Sequence, residues 1–60
     1  MNVTMKHFFA DPAEWLESEG FTAVTAWKNN VIVYDDGINV ARVECINPNN
    51  YVVKIWTVGE

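Results

Sequence analysis

The side chains that could perform chemistry in this sequence are few, and the two most reactive types occur once each. His7 is the only histidine and Cys45 the only cysteine in 60 residues. A thiol nucleophile needs a neighbouring base, and the pair also needs an orienting group and an oxyanion site. No pattern for these further parts is found in the sequence. We therefore predict that the chain is not an enzyme and that Cys45 is a small buried apolar side chain.

Metal and phosphate binding also lack their usual signatures. One histidine and one cysteine supply at most two of the four ligands of a zinc site. Asp35, Asp36 and Gly37 resemble the start of a calcium loop, but the later ligands at EF-hand spacing are missing, so we interpret them as a turn. The three glycines stand singly, which leaves no glycine-rich phosphate loop. No metal site and no cofactor are expected.

A cluster of carboxylates suggests a different role, the imitation of a nucleic acid. Four acidic residues lie in and beside one predicted helix with no basic residue among them: Asp11, Glu14, Glu17 and Glu19. Carboxylates on a rigid element could imitate phosphate spacing and occupy a nucleic-acid-binding groove, with Asp35 and Asp36 extending the surface. An ordinary solvated helix face explains the same residues, and a net charge of −4 is mild for such a mimic.

The overall charge and hydropathy narrow the range of partners and compartments. The four basic residues are scattered, whereas nucleic-acid binders usually show a basic stripe, so direct binding of nucleic acid is not expected. The chain has no apolar run near 18 residues and no secretory signal, so no membrane contact is predicted. A single cysteine cannot form an internal disulfide, which is typical of a reducing compartment. These observations predict a cytoplasmic protein.

The first secondary-structure element predicted from the sequence is a helix, which carries most of the acidic cluster. Asp11 suits the N-cap, Pro12 the first helical position and Glu14 the third, as in a capping box. Gly20 suits the left-handed position just past a helix end. We predict a helix over about 12–19, and we interpret residues 2–9 as an extended segment rather than a short helical turn.

The rest of the chain has the pattern of an antiparallel sheet. Asp36-Gly37 between two apolar runs is a two-residue hairpin signal, and Asn29-Asn30 can serve the same turn. The strands are predicted over about 21–28, 31–35, 38–46 and 51–58. The predicted fold is therefore a single two-layer α+β domain over 1–60, with one N-terminal helix and a four-stranded meander.

Turn lengths fix the register and therefore the faces of the sheet. The expected pairs are Lys28 with Val31, Asp35 with Ile38, and Ile46 with Tyr51, and they produce two apolar faces. The first, the valine face, is predicted to carry the helix and holds Val24, Val31, Val33, Ile38, Val40, Ile46, Tyr51, Val53 and Ile55. The second, the aromatic face, holds Phe21, Ala23, Thr25, Trp27, Ile32, Tyr34, Asn39, Ala41, Val43, Cys45, Val52, Lys54, Trp56 and Val58. The reverse arrangement, with the helix on the aromatic face and the valines free for dimerisation, stays open.

One short helix cannot shield both faces of such a sheet. A helix is about 10 Å across, whereas four strands span about 15–19 Å. Exposed apolar patches commonly mark contacts with other molecules, and Trp and Tyr are favoured anchors. The predicted contact residues are Trp27, Ile32, Tyr34 and Trp56, with Phe21 as a weaker candidate.

We therefore predict a non-enzymatic protein-binding module, of the small accessory or inhibitor type, that binds a larger protein or a second copy of itself. The alternative is an acidic nucleic-acid mimic that acts through Asp11, Glu14, Glu17 and Glu19. A second alternative is a small toxin or enzyme, in which case His7→Ala would abolish the activity.

Overall fold

A computed structural model describes residues 3–58 and contains one helix and five strands. In chain order these are β1 Thr4–Phe8, α1 Ala13–Ser18, β2 Thr22–Ala23, β3 Val31–Asp35, β4 Asn39–Asn47 and β5 Asn50–Thr57. The strands form one antiparallel sheet in the order β1, β5, β4, β3, β2. The α+β class is confirmed, whereas the predicted number of four strands is wrong because the N-terminal segment adds a fifth.

β1 is the segment whose sequence pattern was ambiguous, and its extended conformation is confirmed. It lies at one edge of the sheet, with Thr4 opposite Ile55 and Phe8 opposite Tyr51. Phe8 turns toward the helix, where its ring lies 5.2 Å from that of Trp15. The N-terminal strand thus pairs with the C-terminal one and widens the sheet beyond the predicted meander.

The helix α1 is shorter than the predicted span of 12–19, and its N-cap is Pro12 rather than Asp11, without the predicted capping box, whereas Gly20 ends the helix as expected. The Ala13 N–H donates to the Asp11 carboxylate at 2.9 Å, which satisfies a group that the helix itself leaves unpaired. At the other end Gly20 has a φ of +90°, and the Phe21 N–H donates to the Leu16 carbonyl at 3.0 Å. This reversal directs the chain from the helix into β2. Within residues 3–58 no helix has the length and apolar character needed to cross a membrane.

The core lies between α1 and one face of the sheet, which we call the covered face. Leu16 of α1 is fully buried there, and Phe21 follows it. The buried core residues are Leu16, Phe21, Ile32, Tyr34, Ala41, Val43 and Val53. Phe8, Ala13, Trp15, Tyr51 and Ile55 pack around them as a partly buried margin. The predicted core on the valine face is therefore wrong, because the helix lies on the side that carries Ile32 and Tyr34.

The first hairpin confirms one predicted turn and shortens one predicted strand. Asn29 and Asn30 both have positive φ, and Lys28 pairs with Val31 across them. Two residues of β2 pair with β3, in place of the predicted strand over 21–28. The pairing of β2 with β3 ends where the Thr25 hydroxyl accepts a hydrogen bond from the Val33 N–H at 3.0 Å. The residues after Thr25 form a loop.

The second hairpin differs from its predicted register by two residues. Asp35 pairs with Val40 rather than with Ile38. The Asp36 carboxylate accepts the N–H groups of Ile38 and Asn39 at 2.9 and 2.6 Å, and these bonds hold a turn longer than the two-residue one expected. A shift of two leaves every side chain on its predicted face, so β3 and β4 keep their relative faces.

The third hairpin differs by one residue, and this error reverses a strand. Tyr51 lies opposite Cys45 instead of Ile46, with a bulge between Cys45 and Asn47. A shift of one turns each β5 side chain to the other side. Val53 and Ile55 therefore join Ile32 and Tyr34 under the helix.

The Asp36 turn should make the stability of the fold depend on acidity. The N–H groups of Asn39 and Ile38 hold the pKa of the Asp36 carboxyl below its ordinary value. Its contribution is then present above the unfolded pKa of about 4 and is lost as pH falls through the lower folded pKa. We expect the difference in free energy of unfolding between the natural protein and Asp36→Asn to be largest at about pH 6 and to shrink toward about pH 2. Urea denaturation at both acidities measures it, and a difference that is independent of pH would contradict the role of the charge.

Candidate functional site

The sheet has a second face, which we call the open face, on which no helix lies within the described range 3–58. Because successive side chains of a strand alternate, the strand pairings place one set of residues on it. The open face comprises Met5, His7, Thr22, Val31, Val33, Asp35, Val40, Arg42, Glu44, Val52, Lys54 and Trp56. Its β3 and β4 residues Val31, Val33 and Val40 belong to the predicted valine face, whereas its β5 residues Val52, Lys54 and Trp56 were predicted on the aromatic face.

Three central rows cross the open face from β5 through β4 to β3. They read Trp56–Val40–Asp35, Lys54–Arg42–Val33 and Val52–Glu44–Val31. Apart from Lys54, which is exposed, all of these residues are half-buried, because neighbours on a sheet shield one another without any covering layer. Each row therefore combines at least one apolar side chain with at least one charge.

The charges of the open face cancel. Arg42 and Lys54 are the cations of these rows, and Asp35 and Glu44 are the anions. The Arg42 guanidinium lies 3.3 Å from the Glu44 carboxylate, with both side chains about two-fifths exposed. A pair this exposed adds about 0–1 kcal/mol to stability, so it does little to hold the fold together. The open face is thus a neutral surface on a chain of net charge −4.

The structure separates the four predicted contact residues. Ile32 and Tyr34 are only 7% and 5% exposed beneath α1, and Phe21 is buried as well. Trp56 lies on the open face, on the other side of the sheet. Trp27 lies in the loop after β2, with its ring edge-on to that of Tyr51 at 6.3 Å. The predicted aromatic face is therefore wrong as a single surface, because the bulge in β4 reverses β5.

A shallow groove of about 750 Å³ runs along the rim of the open face. Trp27 and Lys28 form its loop side, and Val31, Arg42 and Glu44 form its sheet side. The groove brings Trp27, but neither Ile32 nor Tyr34, close to the central rows. A partner on the open face could therefore also touch the loop.

The four acidic residues of the proposed mimic lie on the other side of the molecule. Asp11, Glu14, Glu17 and Glu19 are all exposed in or beside α1. Burial, and then the negative charges of Asp11 and Glu17, raise the pKa of Tyr34. The acids and the open face are therefore two distinct surfaces.

The histidine and the cysteine point away from each other. His7 pairs with Val52 on the open face, whereas Cys45 pairs with Tyr51 on the covered side. The Cys45 thiol is half-buried rather than buried as predicted, and it donates to the Asn47 carbonyl at 3.3 Å. Its interaction with the Tyr51 hydroxyl, followed by burial, raises the pKa of Tyr51. This geometry does not form a nucleophile and base from His7 and Cys45.

Neither a cluster of metal ligands nor a similar known protein assigns a function to the described residues. Within the part of the chain that the structure describes, no three histidine, cysteine or acidic side chains come together as metal ligands. Comparison of the chain with models of protein families, with curated proteins and with solved structures finds no match.

Proposed function

We propose that this chain is a non-enzymatic protein-binding module, of the accessory or inhibitor type, that associates through the open face of its sheet. The supporting observation is that α1 covers one face while Val31, Val33, Val40, Val52 and Trp56 lie together on the other. Apolar side chains on a face that the protein's own helix does not cover, here interspersed with charges, commonly mark a contact with another molecule. A chain whose single cysteine lacks an internal partner suits a reducing compartment, so we place the encounter in the cytoplasm.

The dimensions of the sheet support a partner that covers most of this face. Five strands span about 24 Å at about 4.8 Å each, and one helix about 10 Å across lies on the other side. A standard interface takes about 800 Å² from each partner. Since the molecule exposes 4128 Å² in all, such an interface would use about a fifth of its surface. Trp56 would act as the anchor, and the charged side chains of the central rows would fix the orientation.

The proposal can be tested by photo-crosslinking in the cells that produce the protein. A benzophenone amino acid replaces Val33 on the open face or Glu17 on the helix, and circular dichroism checks that both variants fold. We expect abundant protein adducts from position 33 and few from position 17, whether the adduct joins another protein or a second copy. Adducts confined to position 17, or none at either position, would contradict association through the open face.

The dependence of the adduct yield on salt concentration distinguishes this proposal from nucleic-acid mimicry by the acidic helix. Apolar docking should survive about 0.5 M salt, because at this ionic strength only charge interactions beyond a few ångströms are screened. We expect the yield of adducts at position 33 to be nearly unchanged under these conditions. Adducts at position 17 that disappear with salt would instead support a role for Asp11, Glu14, Glu17 and Glu19.

A further inference from the structure

We infer that the open face binds a second copy of this chain, in a two-fold symmetric dimer in which Arg42 of each copy lies against Glu44 of the partner subunit. This inference rests on the proposed function, since it uses the same face. It adds the identity of the partner and the contact that sets its orientation.

The distribution of charge favours a second copy on this face. Two chains of net charge −4 repel each other at long range. That repulsion is weakest when the neutral open faces meet, because the exposed acids of the α1 side then point outward on both copies. An approach through the helices would instead bring Asp11, Glu14 and Glu17 against their own copies.

The order of the charges along β4 is self-complementary. In an isologous interface, if one residue contacts a second, the second contacts the first in return. Consider a two-fold axis that lies between the facing sheets, runs perpendicular to the strands and passes between the Arg42 row and the Glu44 row. This axis places the Arg42 row of each copy over the Glu44 row of the other. Arg42 then faces Glu44 of the partner subunit twice. An axis along β4 would place Arg42 against the partner's Arg42, which like charges disfavour.

The same operation matches the apolar neighbours of the two charges. On β3 it places Val31 over the partner's Val33, and on β5 it places Val52 over the aliphatic stem of the partner's Lys54. Facing sheets pack about 10 Å apart, a gap that long side chains such as Arg and Glu can bridge. A guanidinium has five N–H donors, and the bond to Glu44 within the chain uses one of them. The others remain for the partner's carboxylate.

A charge-reversal pair tests this contact. Sedimentation equilibrium of the natural protein should show mass rising with concentration toward twice the 6.8 kDa of one chain. Arg42→Glu and Glu44→Arg should each weaken self-association at least tenfold, because one variant then carries only carboxylates at these two positions and the other only cations. An equimolar mixture should associate within about threefold of the natural protein, since opposite charges then face each other at both contacts. The double variant Arg42→Glu/Glu44→Arg should also dimerise alone.

Glu17→Arg is the matched control, because it makes the same change of charge as Glu44→Arg on the other side of the molecule. It should not weaken self-association. A natural protein that stays monomeric at about millimolar concentration would overturn the second copy, and a mixture that fails to associate would overturn the Arg42–Glu44 contact. In either case, adducts at position 33 with a different protein would leave the proposed function standing. Absence of any adduct at position 33, whether with a different protein or with a second copy, would remove both.

Discussion

Replacing Leu16 with alanine is expected to lower the free energy of unfolding by about 3 kcal/mol, the largest loss that a single truncation should cause. Leu16 is fully buried at the centre of a core of seven residues. Truncation of a buried leucine costs about 2–5 kcal/mol, because apolar contact is lost and a cavity remains. A domain of this length has a total stability of only about 3–9 kcal/mol. The variant should therefore be partly or largely unfolded.

The expected loss of stability on truncation of Leu16 is large because a single short helix covers the sheet. Its side chain joins α1 to the covered face, and its carbonyl receives the Phe21 N–H that closes the end of the helix. Urea denaturation followed by circular dichroism measures the loss. Glu17→Ala is the matched control, since that side chain is the exposed neighbour, and it should change stability by no more than about 0.5 kcal/mol. A loss below about 1 kcal/mol for Leu16→Ala would show that the helix contributes little to the core.

Two of the predicted registers were wrong, and the predicted faces were then correct only where the error was an even number of residues. At Asp35 the true pairing differs by two residues, and a strand returns to the same face after two residues. Val40 of β4 was therefore placed correctly on the same face as Val31 and Val33 of β3. At Tyr51 the difference is one residue, so all of β5 was assigned to the wrong side.

The odd error arose from a bulge that the sequence does not mark. Residues 47–50 have the composition of a four-residue loop, yet Asn47 pairs with Asn50 and the strands continue to both. The extra residue is Ile46, which is 53% exposed although its type is typical of a core. A bulge adds one residue to one strand without a change of composition, so alternation alone cannot locate it.

β1 could not be predicted with certainty because its signal is not local. Thr4 to Phe8 includes the polar residues Thr4, Lys6 and His7, and most of these side chains are exposed. The strand is stabilised by pairing with β5, which lies at the far end of the chain. Local alternation and turn residues predict hairpins between neighbours, and this pairing is not a hairpin.

The sequence predicted correctly that the single helix covers one face of the sheet, but it did not predict which face. A helix of six to eight residues is too small to cover two apolar faces, whatever the register of the strands. Choosing the face required the orientation of β5, which the bulge reversed. Trp56, expected on the same face as Trp27, therefore lies on the open face, whereas Trp27 lies in the loop after the short β2.

The different positions of these two tryptophans lead to our second large prediction. Trp56→Ala should weaken association through the open face by roughly 30-fold, because a buried tryptophan anchor is worth about 2 kcal/mol or more and each 1.4 kcal/mol is tenfold. Trp27→Ala should change it by less than about threefold, since the Trp27 ring already packs against Tyr51 at the rim. Sedimentation equilibrium measures both, and circular dichroism confirms that both variants fold.

The two variants can be compared directly, because each removes one tryptophan side chain, from the open face in Trp56→Ala and from the loop in Trp27→Ala. Loss of apolar surface in general would weaken both variants equally, whereas an interface centred on the open face would weaken only one. If Trp27→Ala has the larger effect, the contact is centred on the loop and its groove, and the open face is not the binding surface. If Trp56→Ala alone reduces association while its stability in urea stays near that of the natural protein, Trp56 serves binding rather than folding, because its side chain lies on the face opposite the core.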